Sequence, residues 1–274
     1  MALVSGFIFS CKEIGPQINL DGGGGGNNTG GNGDTSQQKI VLIEEFTAVR
    51  CTNCPKGHVI VENLLEADSG RIEVVEIHSG DLAIPYNVTD PDFRSTEADQ
   101  LSAYLGPVPF QPSAAIDRKI FLGQTDRLID RSFWTQYTNQ ELDSTNKVTI
   151  TLQKDYNTST RELKITATVY FVAAVTDVVN FSVMITESGI IAPQLDGVTI
   201  INDYVHNNVF RGMMDMPYYG IQIDGEKTKG TSWTKEFTLT LPPDWNADNC
   251  RAVSFVSKSI GTYDVLQANG IDIN

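Results

Sequence analysis

The residues best placed to do chemistry in this chain are Cys51 and Cys54, in the stretch "EEFTAVRCTNCPKG". An apolar run precedes the pair and a helical pattern follows it. A thiolate at a helix N-terminus meets unsatisfied N–H groups and a partial positive charge, both of which lower its pKa. Arg50 adds a neighbouring cation. Cys51 is therefore the expected nucleophile. Cys54, about a turn deeper and more shielded, is the expected resolving thiol that breaks a mixed disulfide. Two other readings stay open. The pair can be a structural disulfide in an oxidising compartment, or part of a metal clip. Structural zinc takes four ligands, and only Cys250, His58, His78 and His206 are available to complete a set. Because no second C-x-x-C is present, no metal is expected.

The elements that position the pair follow from hydropathy patterning. "KIVLIEEFTA" reads as a strand running into the cysteines. From Cys54 to Ala67, Val59, Ile60, Leu64 and Leu65 recur at helical spacing, and Gly70 is a fitting C-cap. "RIEVVEIHS" reads as a buried strand, and "DPDFRSTEADQLSAYLG" as a helix that Gly106 ends. "PVPFQPSAAIDR" is a proline-rich turn leading into a strand at about 113–117, with "KIFLG" as its hairpin partner. "TDRLIDRSFWTQYTNQELD" is an amphipathic helix. His58 is expected on the surface of the first helix. His78, ending a strand on the cysteines' edge of the sheet, is within reach of them, and a capping or exposed role is expected for both histidines.

From residue 146 the texture changes to period-2 alternation without helices: Val148, Ile150 and Leu152; Leu163 to Phe171; Val179 to Ile185; Phe237 to Leu241; then "RAVSFVSKS" and "YDVLQANGIDI". This pattern predicts an antiparallel β-sandwich of immunoglobulin-like type. The fold class is thus α+β, with residues 39–145 as an α/β unit and 146–274 as the sandwich. "NDYVHNNVFRGMMDMPYYG" (202–220) lacks strand alternation and is read as a long loop. Its His206, Arg211, Met213 and Met214 are candidate binding residues, because methionine-rich aromatic segments make adaptable surfaces. Cys250, just ahead of a strand, reads as a buried, inert thiol.

The remaining features bound the function class. The net charge is −14, and the chain has no basic stripe, which excludes nucleic acid as a partner. No Ser-His-Asp signature, phosphate loop or paired-carboxylate motif stands out, no cofactor is expected, and "DGGGGG" is not a nucleotide loop because no Gly-Lys-Ser/Thr follows it. Four cysteines are too few for a disulfide framework at this length. The apolar "MALVSGFIFSC" is too short to span a bilayer. It resembles the signal of bacterial lipoproteins, with Cys11 as the lipidated residue; the alternative is a tail with a chance cysteine. The Gly/Asn-rich stretch up to residue 38 cannot bury apolar area and reads as a tether.

Strand, C-x-x-C, helix, strand, helix, X-Pro-strand, strand and helix over residues 39–143 resemble the thioredoxin fold. That resemblance implies that Glu45, six residues before Cys51, is the buried carboxylate relaying a proton to Cys54. It also implies that Pro112 is a cis-proline, preceded by Gln111, in the substrate loop. The chain departs from the family in having Arg50 where tryptophan is usual, and Thr52-Asn53 where Gly-Pro is usual. A second resemblance covers nearly the whole chain. "EEFTAVRCTNCPKG", "YVHNNVFRG" and "DNCRAVSFV" look like the outer membrane protein 28-related lipoproteins of Gram-negative bacteria. It implies a location at the outer membrane, on its periplasmic or surface face, and little about activity. Two functions follow as expectations. One is thiol–disulfide exchange with protein thiol or disulfide clients. The other is a non-enzymatic surface binding or assembly lipoprotein, with envelope partner proteins and the cysteine pair as a staple.

Overall fold

The structure, a computed structural model, describes residues 37–274; Cys11 and the Gly/Asn-rich tether lie outside them. The apolar, β-branched run at Val41–Thr47 forms β1, buried along its whole length. The chain turns through Ala48–Asn53 and enters α1 (Cys54–Ala67), where Pro55 sits in the first turn, a position that needs no N–H partner. β2 (Ile72–His78) returns parallel to β1, pairing Glu45 with Glu76 and Thr47 with His78. α2 (Thr96–Leu105) begins at Ser95, whose side chain accepts from the Ala98 N–H, and ends at Gly106. β3 (Ser113–Ile116) pairs antiparallel with β1, after a cis Gln111–Pro112 peptide.

The partner of β3 is β4 (Ile129–Asp130), not the "KIFLG" segment. Asp117 and Arg118 adopt left-handed φ values of 45° and 54°. Their side chains are held in buried ion pairs, Asp117 with Lys39 at 2.7 Å and Arg118 with Glu44 at 2.7 Å. The turn swings 119–123 off the sheet and lets Phe121 stack on Tyr137, 4.0 Å between centroids. The amphipathic segment after it likewise splits. Ile129 and Asp130 join the sheet, and only Trp134–Leu142 forms α3, with the indole N–H of Trp134 donating to the Ile129 carbonyl.

The second half supplies β5 (Val148–Asn157), β6 (Glu162–Phe171), β7 (Val179–Glu187), β8 (Ile190–Asp196), β9 (Thr199–His206), β10 (Val209–Met213), β11 (Ile221–Gln222), β12 (Ser232–Thr240), β13 (Cys250–Lys258) and β14 (Val265–Asp272). The fold is mostly β, with one mixed sheet and two further sheets. The large sheet runs β14-β13-β7-β10-β2-β1-β3-β4, with β11 also on β7. Strands from both halves share it, joined where Val209 pairs parallel with Glu76. The antiparallel sheet β12-β6-β5 covers one face of the large sheet, and β6 alternates buried and half-buried as its sequence does. α2 covers the opposite face, across β1, β2, β7 and β13. α1 and α3 pack together over odd-numbered β1 residues and even-numbered β2 residues.

β8 and β9 form a separate hairpin turning at Gly197, φ 59°. Segment 202–220 is therefore not one long loop. It completes this hairpin and then supplies β10, an interior strand, and apart from the 207–208 link only 214–220 is irregular. Met213 ends β10 and packs in the core under α2, and Met214, just past the strand, packs between the sheets. Among the described residues, no helix is long and apolar enough to cross a membrane.

Candidate functional site

Cys51 and Cys54 are disulfide-bonded, with Cα atoms 5.4 Å apart. Cys54 is the first residue of α1, and its N–H donates to the Cys51 carbonyl at 3.3 Å. Both sulfurs face a small apolar nest of Ala48 and Ala83. Cys54 is fully buried, and Cys51 is only 3% exposed. The β8–β9 hairpin binds the cysteine loop. The Gln194 side-chain amide donates to the carbonyls of Ala48 at 3.3 Å and Cys51 at 3.2 Å. The Leu195 N–H donates to the Val49 carbonyl at 2.8 Å, and Gly197 N–H to Thr52 O at 3.1 Å. The Thr52 hydroxyl donates back to the Gly197 carbonyl. The hairpin thus lies along the cysteine loop, held through backbone groups.

The flanking residues are tied down too. Arg50 donates to the carbonyls of Ile84 at 2.7 Å and Pro85 at 2.6 Å, and its guanidinium lies 4.7 Å over the Tyr86 ring. Gln111 donates to the carbonyls of Thr47 and Ser79, both at 3.1 Å, and so joins the ends of β1 and β2 beside Pro112. A cleft of about 400 Å³ opens there, floored by Ser79, Gly80, Phe110 and Gln111.

Glu45 lies against the first turns of α1. A Cβ on Gly57 would come within 2.6 Å of Glu45 Oε1 and 3.1 Å of the Pro112 side chain, so only glycine lets helix, carboxylate and proline loop close together. Among the described residues, neither Glu45 oxygen has a hydrogen-bond partner. Its pKa is pushed well above the carboxylate range, first by burial and then by the charge of Glu76 beside it.

Glu76 opens a cluster larger than the sequence suggested. His58 does not lie on the helix surface. It faces inward on α1 with Cys54 and Val61, and the hairpin closes over it. Its Nε2 is 3.8 Å from Glu45 Oε1, 3.7 Å from Glu76 Oε2 and 2.9 Å from Thr47 Oγ1. Its Nδ1 is 2.7 Å from the Tyr204 hydroxyl. His78 is likewise buried rather than exposed, packed edge-on against Phe93 and His206. All three histidines of the chain therefore meet beneath the hairpin. Burial drives their pKa values down, His58 to about 3 and His206 to about 4, and His78 falls in the same way. Glu76 is raised by burial first and then by Glu62.

Of the other residues singled out from sequence, Arg211 pairs with Glu187 at 3.3 Å and Asp244 at 3.0 Å, and stacks over Trp245. Met214 sits in the core between the sheets. Neither touches the cysteines. Cys250 is buried at the start of β13, with its thiol pKa pushed up to about 12, chiefly by burial. Glu76 and Tyr204 are the site residues that sequence reasoning passed over, and His58 and His78 are the ones it expected at the surface. The available signal was a charged residue on an otherwise apolar strand: Glu76 shares the face of Val74 and His78 in "RIEVVEIHS".

With this geometry in view, the comparisons decide the family. The model of the outer membrane protein Omp28 matches residues 98–273, more than half of the chain. The chain belongs to the Omp28 family. An Omp28 protein resides in the cell envelope, at the outer membrane. No curated protein matches the sequence. Among solved structures, HBP35 of Porphyromonas gingivalis is similar with a TM-score of 0.70 at 15% identity, covering 87% of this chain and 76% of that one. Protein AGR_C_4864 from Agrobacterium tumefaciens is similar with a TM-score of 0.50 at 13% identity, covering 87% of this chain and 97% of that one. At these identities the likeness is one of fold. The family match begins after the cysteine pair, so the chemistry of residues 39–97 must be read from the residues themselves.

Proposed function

We propose that this Omp28 protein is a thiol–disulfide exchange protein of the outer membrane, built from a thioredoxin-like unit and an immunoglobulin-like sandwich and anchored through a lipid on Cys11. The observation that carries this reading is where the disulfide sits. Cys51–Cys54 lies at a strand-to-helix junction, with a buried carboxylate and a cis-proline loop packed on the same helix turn.

A client thiolate attacks Cys51 Sγ, the Cys51–Cys54 bond breaks, and Cys54 leaves as a thiolate stabilised at the N-terminus of α1. Glu45, protonated because of its burial, supplies the proton that Cys54 takes up. A second client thiol, losing its proton to water, attacks the mixed disulfide and releases the oxidised client and the Cys51 thiolate, and Cys51 and Glu45 each then take a proton back from water. Client dithiol and protein disulfide become client disulfide and protein dithiol, and two electrons pass. The same steps in reverse reduce a client disulfide. Either direction requires the β8–β9 hairpin to move off Cys51.

The test uses trapping. In Cys54→Ser, the mixed disulfide on Cys51 has no resolving thiol and accumulates as a covalent client adduct in envelope extracts. Cys51→Ser gives none. If the Cys54→Ser variant, shown to be folded, accumulates no adduct, the reading fails.

The second reading, an assembly or binding lipoprotein with the disulfide as a staple, is favoured by the 3% exposure of Cys51. It is also favoured by exposed Ile191 and Val205, which lie opposite one another on the outer hairpin. Under it, removing both cysteines lowers stability and leaves partner binding intact.

A further inference from the structure

We propose that Glu45, His58 and Glu76 form a binding site for a divalent transition-metal cation of the zinc class, closed on one side by the β8–β9 hairpin. The register of the two parallel strands sets Glu45 and Glu76 side by side on one face, and α1 lays His58 over them. One ligand atom from each residue lies within 4.8 Å of the other two. His58 Nε2 is 3.8 Å from one carboxylate oxygen and 3.7 Å from the other. Tetrahedral zinc with bonds of about 2.0–2.1 Å sets its ligand atoms roughly 3.3 Å apart, so each histidine–carboxylate pair closes by about half an ångström and the carboxylate pair by about 1.5 Å at most.

The chemistry of the donors points to a cation. The side chains of Glu45, Glu76 and His58 are 0%, 4% and 6% exposed. Glu45 Oε1, Glu45 Oε2 and Glu76 Oε2 accept no hydrogen bond. Two buried carboxylates with no cation between them must hold protons, and one proton shared between them engages two of the three free oxygens and leaves the third without a partner. A divalent ion matches both negative charges and uses all three ligand atoms.

The outer contacts fit as well. Zinc on Nε2 requires the proton of His58 on Nδ1, and Tyr204 O lies 2.7 Å from Nδ1 to accept it. A cavity of about 220 Å³ reaches the site from outside, bounded by Glu62, Leu65, Ser188 and Asn207 as well as His58 and Glu76. It gives the ion an entry path and room for a water as fourth ligand. Sequence reading found no metal site because it counted cysteine and histidine ligands. Two of the three ligands here are glutamates that only the strand register brings together.

This inference goes beyond the exchange reading and does not depend on it. Glu45 can relay a proton only while it is not a ligand, so binding is measured directly, with Cys51–Cys54 kept oxidised so that no site thiol competes. Chelator-stripped full-length protein is titrated with Zn²⁺ against a chromophoric chelator, and with Co²⁺ by visible absorption. The expected result is one equivalent of Zn²⁺ bound per chain and a Co²⁺ d–d spectrum displaced by zinc. Glu76→Gln and Glu45→Gln, isosteric changes that remove an anionic ligand, each weaken binding by about 100-fold or more. Absence of stoichiometric binding, or an affinity unchanged in both folded variants, overturns the proposal. If one variant does not fold, the other carries the test.

Discussion

Replacing His206 with phenylalanine should make this protein resist acid better than the native chain does. His206 is 1% exposed, between Tyr204, His78 and Phe93, and burial holds its pKa at about 4. In the unfolded chain the same group titrates near 6.5. Between these values the unfolded state binds a proton that the folded state refuses, so stability falls as pH falls from about 6.5 to 4. The gap of about 2.5 pKa units, at about 1.4 kcal/mol each, amounts to about 3 kcal/mol of acid lability from this one side chain. His58 and His78 are depressed too and act in the same direction. Glu45, Glu76 and Asp117, the last raised to about 6 mainly by burial, act in the opposite direction. The total pH profile is therefore mixed, and the difference between His206→Phe and the native protein isolates the one group. Urea unfolding in the presence of EDTA, with the disulfide intact, measures it at pH 7.5 and pH 4. Whatever the phenylalanine costs by packing is common to both pH values. The variant should gain about 3 kcal/mol relative to the native chain on acidification. A difference that stays constant with pH would refute the assignment of His206 as a buried neutral imidazole.

Further outcomes follow from the same geometry. Gln194→Ala removes donors to the Ala48 and Cys51 carbonyls, and at about 1 kcal/mol per bond should speed reduction of the Cys51–Cys54 pair by roughly five-fold or more, read by timed alkylation. Gly57→Ala should lower the melting temperature, although alanine is the better helix former by about 1 kcal/mol. Its Cβ would meet Trp134 at 3.0 Å and Pro112 at 3.1 Å as well as Glu45, and overpacking of that kind costs about 1–3 kcal/mol. Glu44→Gln leaves the buried Arg118 guanidinium without its bidentate carboxylate and should destabilise by about 3–5 kcal/mol in urea unfolding.

What could be read from sequence was local. The bounds of α1 followed from apolar spacing after the cysteines, and the alternation of β6 followed from its half-buried place. The cis peptide before Pro112 followed from resemblance, not from periodicity. What stayed hidden was long-range. The Gly197-Val198 turn, with glycine at its first position and apolar residues in the flanking strands, was a hairpin signal, but Pro193 weakened it. Nothing near residue 194 says that its amide will hold a loop more than a hundred residues earlier. β10 lost its alternation because both of its faces are covered, Val209 packing with Val49, Phe93 and Ala192, and Phe210 with the core under α2. "KIFLG" looked like a strand because its apolar residues were in place, yet Asp117 and Arg118 turn the chain away to satisfy buried charges. The histidine and glutamate cluster combines residues from β1, α1, β2 and β9, and only the register of β1 on β2 reveals that Glu45 and Glu76 are neighbours.

The central claim is that Cys51–Cys54 exchanges electrons with clients, and its reduction potential tests that most directly. The full chain is equilibrated in glutathione buffers of graded ratio, quenched by alkylation and weighed by mass spectrometry. A working exchanger gives a value between about −120 and −270 mV, with the hairpin variant Gln194→Ala reaching equilibrium faster than the native chain. A value below about −300 mV, or a pair that never reacts unless the protein is unfolded, would contradict the claim and mark the disulfide as a staple.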